Sequence, residues 1–215
     1  MPNWCNNNVE IRHNDLRKLK RISKEAKEGN LFAYIIPEPN YKKTPVAKAY
    51  PEISAEYKKG KEKKIALANK PTIREDSWWD WRVMNWGTKW DIGDEPFTNS
   101  INNSTGVRAL HLAFETAWSP PILVYEALKE QGYYVRAFYN EPGCDFAGEW
   151  EDGNDNNIND VSELDDDYFE KDDLGKELDD FYGILESREQ NRAFAEENRL
   201  EKRFGKKNEK EVKRI

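Results

Sequence analysis

"VRALHLAFETAW", residues 107–118, decides the fold. Leu110, Leu112 and Phe114 alternate with Ala109, His111 and Ala113, the period of two that sends successive side chains to opposite faces of a strand. Ser119 follows where a helix cap is expected, and Pro121 suits a first helical turn. "ILVYEALKEQG" (122–132) is then an amphipathic helix closed by Gly132. "YYVRAFYNE" (133–141) and "FAGEWED" (146–152) read as two more strands joined by the turn "EPGCD". The half-chain is therefore β-α-β-β.

Working back towards the start, "CNNNVEIRH" (5–13) is a strand with Val9 and Ile11 on one face. Asn14 or Asp15 caps a helix whose Leu16, Leu19, Ile22 and Ala26 form one stripe, and Gly29-Asn30 stops it. "LFAYIIP" (31–37) reads as a short buried strand. Residues 38–77, rich in Pro, Lys and Tyr, read as a surface insertion with a lysine-dense helical piece from Ile53 to Asn69. "TKWDI" (88–92) is expected to be a short strand and "EPFTNSINNSTG" (95–106) a polar loop. Two β-α-β units in tandem, with helices on one face of an antiparallel sheet, describe an α+β ferredoxin-like sandwich.

Composition limits the size of its core. Apolar residues make up 37% and charged residues 35% of the 215, yet aromatics reach 13%, which implies a compact aromatic core diluted by solvated segments. Two cysteines, Cys5 and Cys144, are too few for a disulfide framework. With no charged-then-apolar leader and no run near the roughly 20 apolar residues that span a bilayer, the expected compartment is a reducing cytoplasm, away from membranes.

Charge is distributed unevenly. Residues 1–150 carry 22 Lys/Arg against 20 Asp/Glu, residues 151–187 carry 2 against 15, and residues 188–215 carry 10 against 6. The expected boundary is Gly153: a ferredoxin-like domain over 1–153, then an acidic-to-basic, partly helical extension over 154–215. In the extension Leu164, Tyr168, Phe169, Leu174, Leu178, Phe181 and Leu185 are scattered among carboxylates. Helix is expected especially over 174–204, with the last dozen residues disordered.

Three blocks together, "MPNWCNNNVEI" at the start, "NWGTKWD" at 85–91 and "FETAWSPP…YNEPGCDFAGEWEDG" from 114 to 153, resemble the YubB-like proteins of plasmids and phages. The resemblance covers roughly residues 1–153. It implies a ferredoxin-like unit and a mobile-element protein in a bacterial cytoplasm, and it supplies no catalytic residues.

The segment "WWDWRVMNWGTKWD" (78–91) holds five of the eight tryptophans. On a helix, Trp78, Trp79, Trp81 and Trp86 share an arc of about 160°, with Arg82 and Asn85 inside it. One reading makes these indoles a cover over the sheet. The other makes Trp78, Trp81, Arg82, Asn85, Trp86 and Trp90 a pocket, with Arg82 stacked between aromatic walls. The "NWCNNN" run suits backbone-bonding structural use, or recognition through the paired donor and acceptor of each Asn.

Signals for catalysis are weak. His13 and His111 have no nearby ligand set for zinc, and no phosphate loop is present. Cys5 with His111, a Pro2 amine beside Trp4, and the carboxylates Glu115, Glu141, Asp145 and Glu149 at strand ends are candidates on paper only. A non-enzymatic protein without cofactor or metal is the expectation.

The acidic block is the strongest charge feature. It is either a solubilising segment or a helical surface whose carboxylates match the charge density of a duplex, one per roughly 1.7 Å. With the mobile-element resemblance, the second reading predicts a phage or plasmid accessory protein that binds and inhibits a host defence or nucleic-acid-processing protein. The contact would use Asp165, Asp166, Asp167, Glu170, Asp172, Asp173, Asp179 and Asp180, with Tyr168 and Phe181 as apolar anchors. Two alternatives stay open. One is a single-stranded nucleic-acid module using sheet aromatics with Arg82, Lys89, the lysines of 58–64 and the basic end, against which the net charge of −7 weighs. The other is a small-ligand binder or enzyme using the tryptophan pocket.

Overall fold

A computed structural model describes residues 3–40, 78–93, 98–102 and 107–212, the last twelve of them as backbone. The chain divides into two compact units, Met1–Val161 and Ser162–Ile215.

The first unit is α+β, built on one six-stranded antiparallel sheet. Its strands are β1 (Trp4–Arg12), β2 (Thr98–Asn102), β3 (Ala109–Ala117), β4 (Tyr134–Glu141), β5 (Phe146–Glu151) and β6 (Asn154–Asn159). Their order across the sheet is β2-β3-β1-β4-β5-β6. Helix α1 (Leu16–Lys27) joins β1 towards β2, and α4 (Ile122–Glu130) joins β3 to β4. The first four strands thus have the ferredoxin-like order 2-3-1-4, and the β5-β6 hairpin widens the sheet beside β4.

Register explains why one face is core. Val9 pairs with Leu112 and Ala137, and Ile11 with Leu110 and Val135, so these side chains share a face. Leu19, Ile22 and Ala26 of α1 and Val124, Tyr125 and Leu128 of α4 complete that apolar cluster. Asp15 caps α1 by accepting the Arg17 N–H at 2.9 Å. Asn7 is a buried polar node in this layer. Its amide donates to the Cys5 carbonyl and to Thr116 Oγ1, both at 2.9 Å, and its oxygen accepts from the Tyr125 hydroxyl at 3.0 Å. The asparagine run therefore has a structural use at its centre.

Several local expectations are corrected. "LFAYI" is a helix, α2 (Leu31–Ile35), not a strand; Leu31, Phe32 and Ile35 are its buried residues, a helical spacing. "TKWDI" forms bends rather than a strand, because Gly87 turns the chain at φ 82° and Thr88 spends its hydroxyl on the Ala117 carbonyl at 2.9 Å. The polar loop contains β2, an edge strand paired to β3. Its Asn99 exchanges hydrogen bonds with Ser23 of α1, at 2.6 Å from the hydroxyl and 2.8 Å to the carbonyl. Ser119 does not cap α4. It donates to the Gly87 carbonyl at 2.6 Å, and Pro121 occupies the cap position.

Beyond Gly153 the chain does not leave the sheet but forms β6, and the first unit runs to Val161. The proposed insertion lies largely outside the described residues, as do the lysines of 58–64, the piece from Ile53 to Asn69, and Pro2.

The second unit contains α5 (Asp166–Lys171), α6 (Asp173–Tyr182) and α7 (Ile184–Val212). Helix therefore continues past residue 204, where disorder was expected. Phe169, Leu178 and Ile184 are buried. Among the described residues no helix is long and apolar enough to cross a membrane.

Candidate functional site

The tryptophan segment begins as helix α3 (Trp78–Trp86). Trp86 is fully buried; its ring meets Phe32 edge-on at 5.8 Å and Trp81 at 5.8 Å, and its indole N–H donates to the Ile36 carbonyl at 3.1 Å. Arg82 stands between Trp86 and Trp78, 4.8 and 5.3 Å from their ring centroids, and is ion-paired with Glu38. Asn85 donates back to the Trp81 carbonyl at 2.8 Å. Five of the six predicted pocket residues are thus assembled, but the polar groups of Arg82, Asn85 and Trp86 are engaged by Glu38 and by backbone carbonyls.

The sixth, Trp90, belongs to a different group. After α3 each residue of "GTKWD" has its own task. Gly87 makes the turn, and a Cβ there would stand 3.3 Å from the Pro120 carbonyl. Thr88 ties to the end of β3. Asp91 accepts the N–H groups of Phe32 and Ala33, both at 2.9 Å, and of Ile92 at 2.8 Å. Burial pushes the Asp91 carboxyl up from its ordinary range, opposed by those three amides and by Arg82. Asn30, the residue before α2, makes no side-chain cap, so the cap comes from across the fold.

Lys89 and Trp90 are left to face the end of the sheet. Trp90 lies 6.0 Å from Trp4, and the Lys89 ammonium sits 4.2 Å from the Trp90 centroid and 5.3 Å from that of Trp118. Trp4 is 42% and Trp118 39% exposed. Trp118 has φ 68°, a left-handed conformation that strains a bulky residue by about 1–3 kcal/mol. Three hydroxyl bonds and one amide bond hold it there: Thr88 to Ala117, Ser119 to Gly87, Thr116 to Ser119 at 2.8 Å, and Trp118 N–H to Asn3 at 3.0 Å. The sequence reading missed Trp4 and Trp118 as members of this group. Their rarity was visible, but no local pattern signals a positive φ.

The candidate reactive groups are separated by strand alternation. Cys5 pairs with Thr116 on the core face, whereas His111 pairs with Glu10 on the other, so they do not meet. Burial pushes the Cys5 thiol up. Glu141 is buried and accepts the Gly143 and Cys144 amides of the β4-β5 turn, while Glu149 pairs with Arg136 at 2.5 Å on the opposite face. Asp145 sits in the turn at φ 60°. Among the described residues no group of His, Cys, Asp and Glu is placed to hold a metal. Two aromatics of the second sheet face are covered: Arg12 lies 4.7 Å over Tyr134 and Arg136 4.7 Å over Phe138.

The acidic residues of the second unit fall into three groups. Asp166 binds Arg188 at 2.9 Å and Arg192 at 2.7 Å, and these guanidinium groups, Arg192 first, hold its carboxyl down at about 2. Asp172 caps α6 through the Gly175 N–H at 3.1 Å, and Asp179 caps α7 through the Leu185 N–H at 2.7 Å. These three build the unit. Asp167 and Asp173 pair with Lys171 and Lys176 on the surface. Asp165, Glu170 and Asp180 are exposed, with no side-chain partner among the described residues. Tyr168 is half-buried edge-on to Phe169 at 5.3 Å, while Phe181 is 49% exposed.

No family model matches the chain, and no curated protein matches it. Among solved structures it is similar to a crystal structure described as protein api92 from Yersinia pseudotuberculosis, of family model DUF1281. Identity is 11% and the TM-score 0.37, with 74% of this chain and 98% of that one covered. Likeness at this distance says nothing of activity.

Proposed function

We propose that this protein is a non-catalytic binding protein whose C-terminal unit sets carboxylates against a basic surface of a protein partner and occludes it. One observation carries the reading: the acidic block is scaffolded. Residues 166–182 hold eight carboxylates and two lysines, and Asp166, Asp172 and Asp179 fix the helices that display the rest. Helical display holds charges at set spacings, so less ordering is required on binding, and complementary charge speeds encounter. The resemblance of residues 1–153 to a mobile-element family favours, as the partner, a host defence or nucleic-acid-processing protein of a bacterial cytoplasm. Asp165, Glu170 and Asp180 supply the free charge, with Asp167 and Asp173 exchanging their lysines for the partner's cations and Phe181 as the apolar anchor.

The test compares the intact chain with a variant carrying Asp165→Lys, Glu170→Lys and Asp180→Lys. Each is used to capture proteins from a bacterial lysate, and captured proteins are assayed for nucleic-acid binding with and without the chain. The expected result is a protein held only by the native form, released by salt, whose nucleic-acid binding the chain blocks. Equal capture by both forms, or no effect on nucleic-acid binding, overturns the reading.

A further inference from the structure

We propose that Trp4, Trp90, Trp118 and Lys89 form a second binding surface, on the first unit, for a nucleobase–phosphate ligand. Bases stack on the exposed indoles of Trp118 and Trp4 while the Lys89 ammonium meets the phosphate. This surface is independent of the acidic unit and of the partner assigned to it.

The first ground is the residue at position 118. A chain that must pass through φ 68° is served without strain by glycine, yet this one carries a tryptophan there and leaves that residue 39% exposed. The turn is held by hydroxyls from Thr88, Thr116 and Ser119, none of which needs an indole. A strained, half-exposed aromatic held by its surroundings is the signature of a side chain retained for contact.

Convergence is the second ground. Trp4 opens β1, Trp118 follows β3, and Lys89 and Trp90 follow α3; three separate segments bring a tryptophan each to one place. The register sets Trp4 opposite Ala117, one residue from Trp118.

The third ground is charge. The Lys89 ammonium lies over the rings of Trp90 and Trp118, 4.2 and 5.3 Å from their centroids, so a cation is fixed within the aromatic surface and the outer faces of Trp118 and Trp4 are left for stacking. Indole faces accept any base, and one ammonium answers one phosphate. The net charge of −7 does not oppose this locally, because residues 1–150 carry 22 cations against 20 anions.

The test is fluorescence anisotropy of the full chain with a labelled oligodeoxythymidine of about ten nucleotides, within the usual site size. Thymidine monophosphate serves as competitor, with Trp118→Gly and Lys89→Gln as variants. Trp118→Gly relieves the backbone strain but gives up indole burial, so thermal melting of each variant is measured alongside and binding is compared below the melting transition, which separates loss of fold from loss of binding. The expected result is saturable binding weakened roughly tenfold by each substitution. The salt slope should also fall by about 0.7 in Lys89→Gln. Tighter binding of the strand than of the monophosphate assigns the surface to single strands, and equal binding assigns it to free nucleotides. Absence of binding by either probe, or native-like binding by both variants, overturns the proposal.

Discussion

The carboxylate of Asp91 accepts the backbone N–H of Phe32 at 2.9 Å across 59 residues of sequence. Its second oxygen takes the N–H of Ala33, so α2 is capped by the segment that follows α3. Removing that carboxylate leaves two amide donors of a partly buried helix start without partners. Asp91→Ala should lower stability by roughly 2–3 kcal/mol in urea unfolding, and Asp91→Asn, which keeps one acceptor, by about half as much. Asn30→Ala should stay within about 0.5 kcal/mol, because Asn30 makes no side-chain cap.

Gly148 is opposite Tyr139 in the β4-β5 ladder, and its missing side chain lets the tyrosine cross β5 to reach Asp155 of β6 at 2.6 Å. A Cβ at 148 would stand 2.6 Å from the Asn156 carbonyl and closer still to Tyr139 Oη. Gly148→Ala should therefore cost about 1–3 kcal/mol. Adding Tyr139→Phe should recover part of that loss, which a double-mutant cycle would show as non-additivity.

Arg192 and Arg188 hold the Asp166 carboxyl at about 2, below its ordinary 3.8. A depressed acid favours the folded state above the ordinary value, and that contribution is lost as pH falls from about 4 towards 2. Carbon-detected NMR titration should show Asp166 titrating near 2 in the native chain and moving towards 3.8 in Arg192→Gln. An unchanged midpoint in the variant would assign the shift elsewhere.

Cys5 is fully buried and Cys144 exposed. A thiol reagent at neutral pH should modify one cysteine per native chain, and peptide mapping should place it at Cys144. Hydrogen bonding to Glu141 pushes the Cys144 thiol up, so the reaction should be slower than for a free cysteine and quicken as pH rises. Cys5 should react only after unfolding.

Where one face of an element is buried along its length, the sequence is sufficient. β1, β3 and β4 keep a period of two, α1 and α4 keep a helical period, and these five elements already specify a sheet with helices on one face. The misread pieces lack such a signal. "LFAYI" is too short for periodicity to separate helix from strand, and its cap lies at Asp91. β2 and β6, "TNSIN" and "NDNNIN", are polar edge strands that exist because β3 and β5 offer them a ladder.

The candidate sites divide along the same line. Composition alone marked the tryptophan segment and the acidic block. Only the tertiary structure sorted their members: Arg82 into an aromatic sandwich with an ion pair, Asp166, Asp172 and Asp179 into scaffolding, and Trp90 away from its sequence neighbours towards Trp4, Lys89 and Trp118. Burial patterns are written locally, as repeats of apolar residues. Capping across the fold, edge pairing and a tryptophan held at positive φ depend on groups that meet only when distant segments close on one another, and no local stretch encodes them.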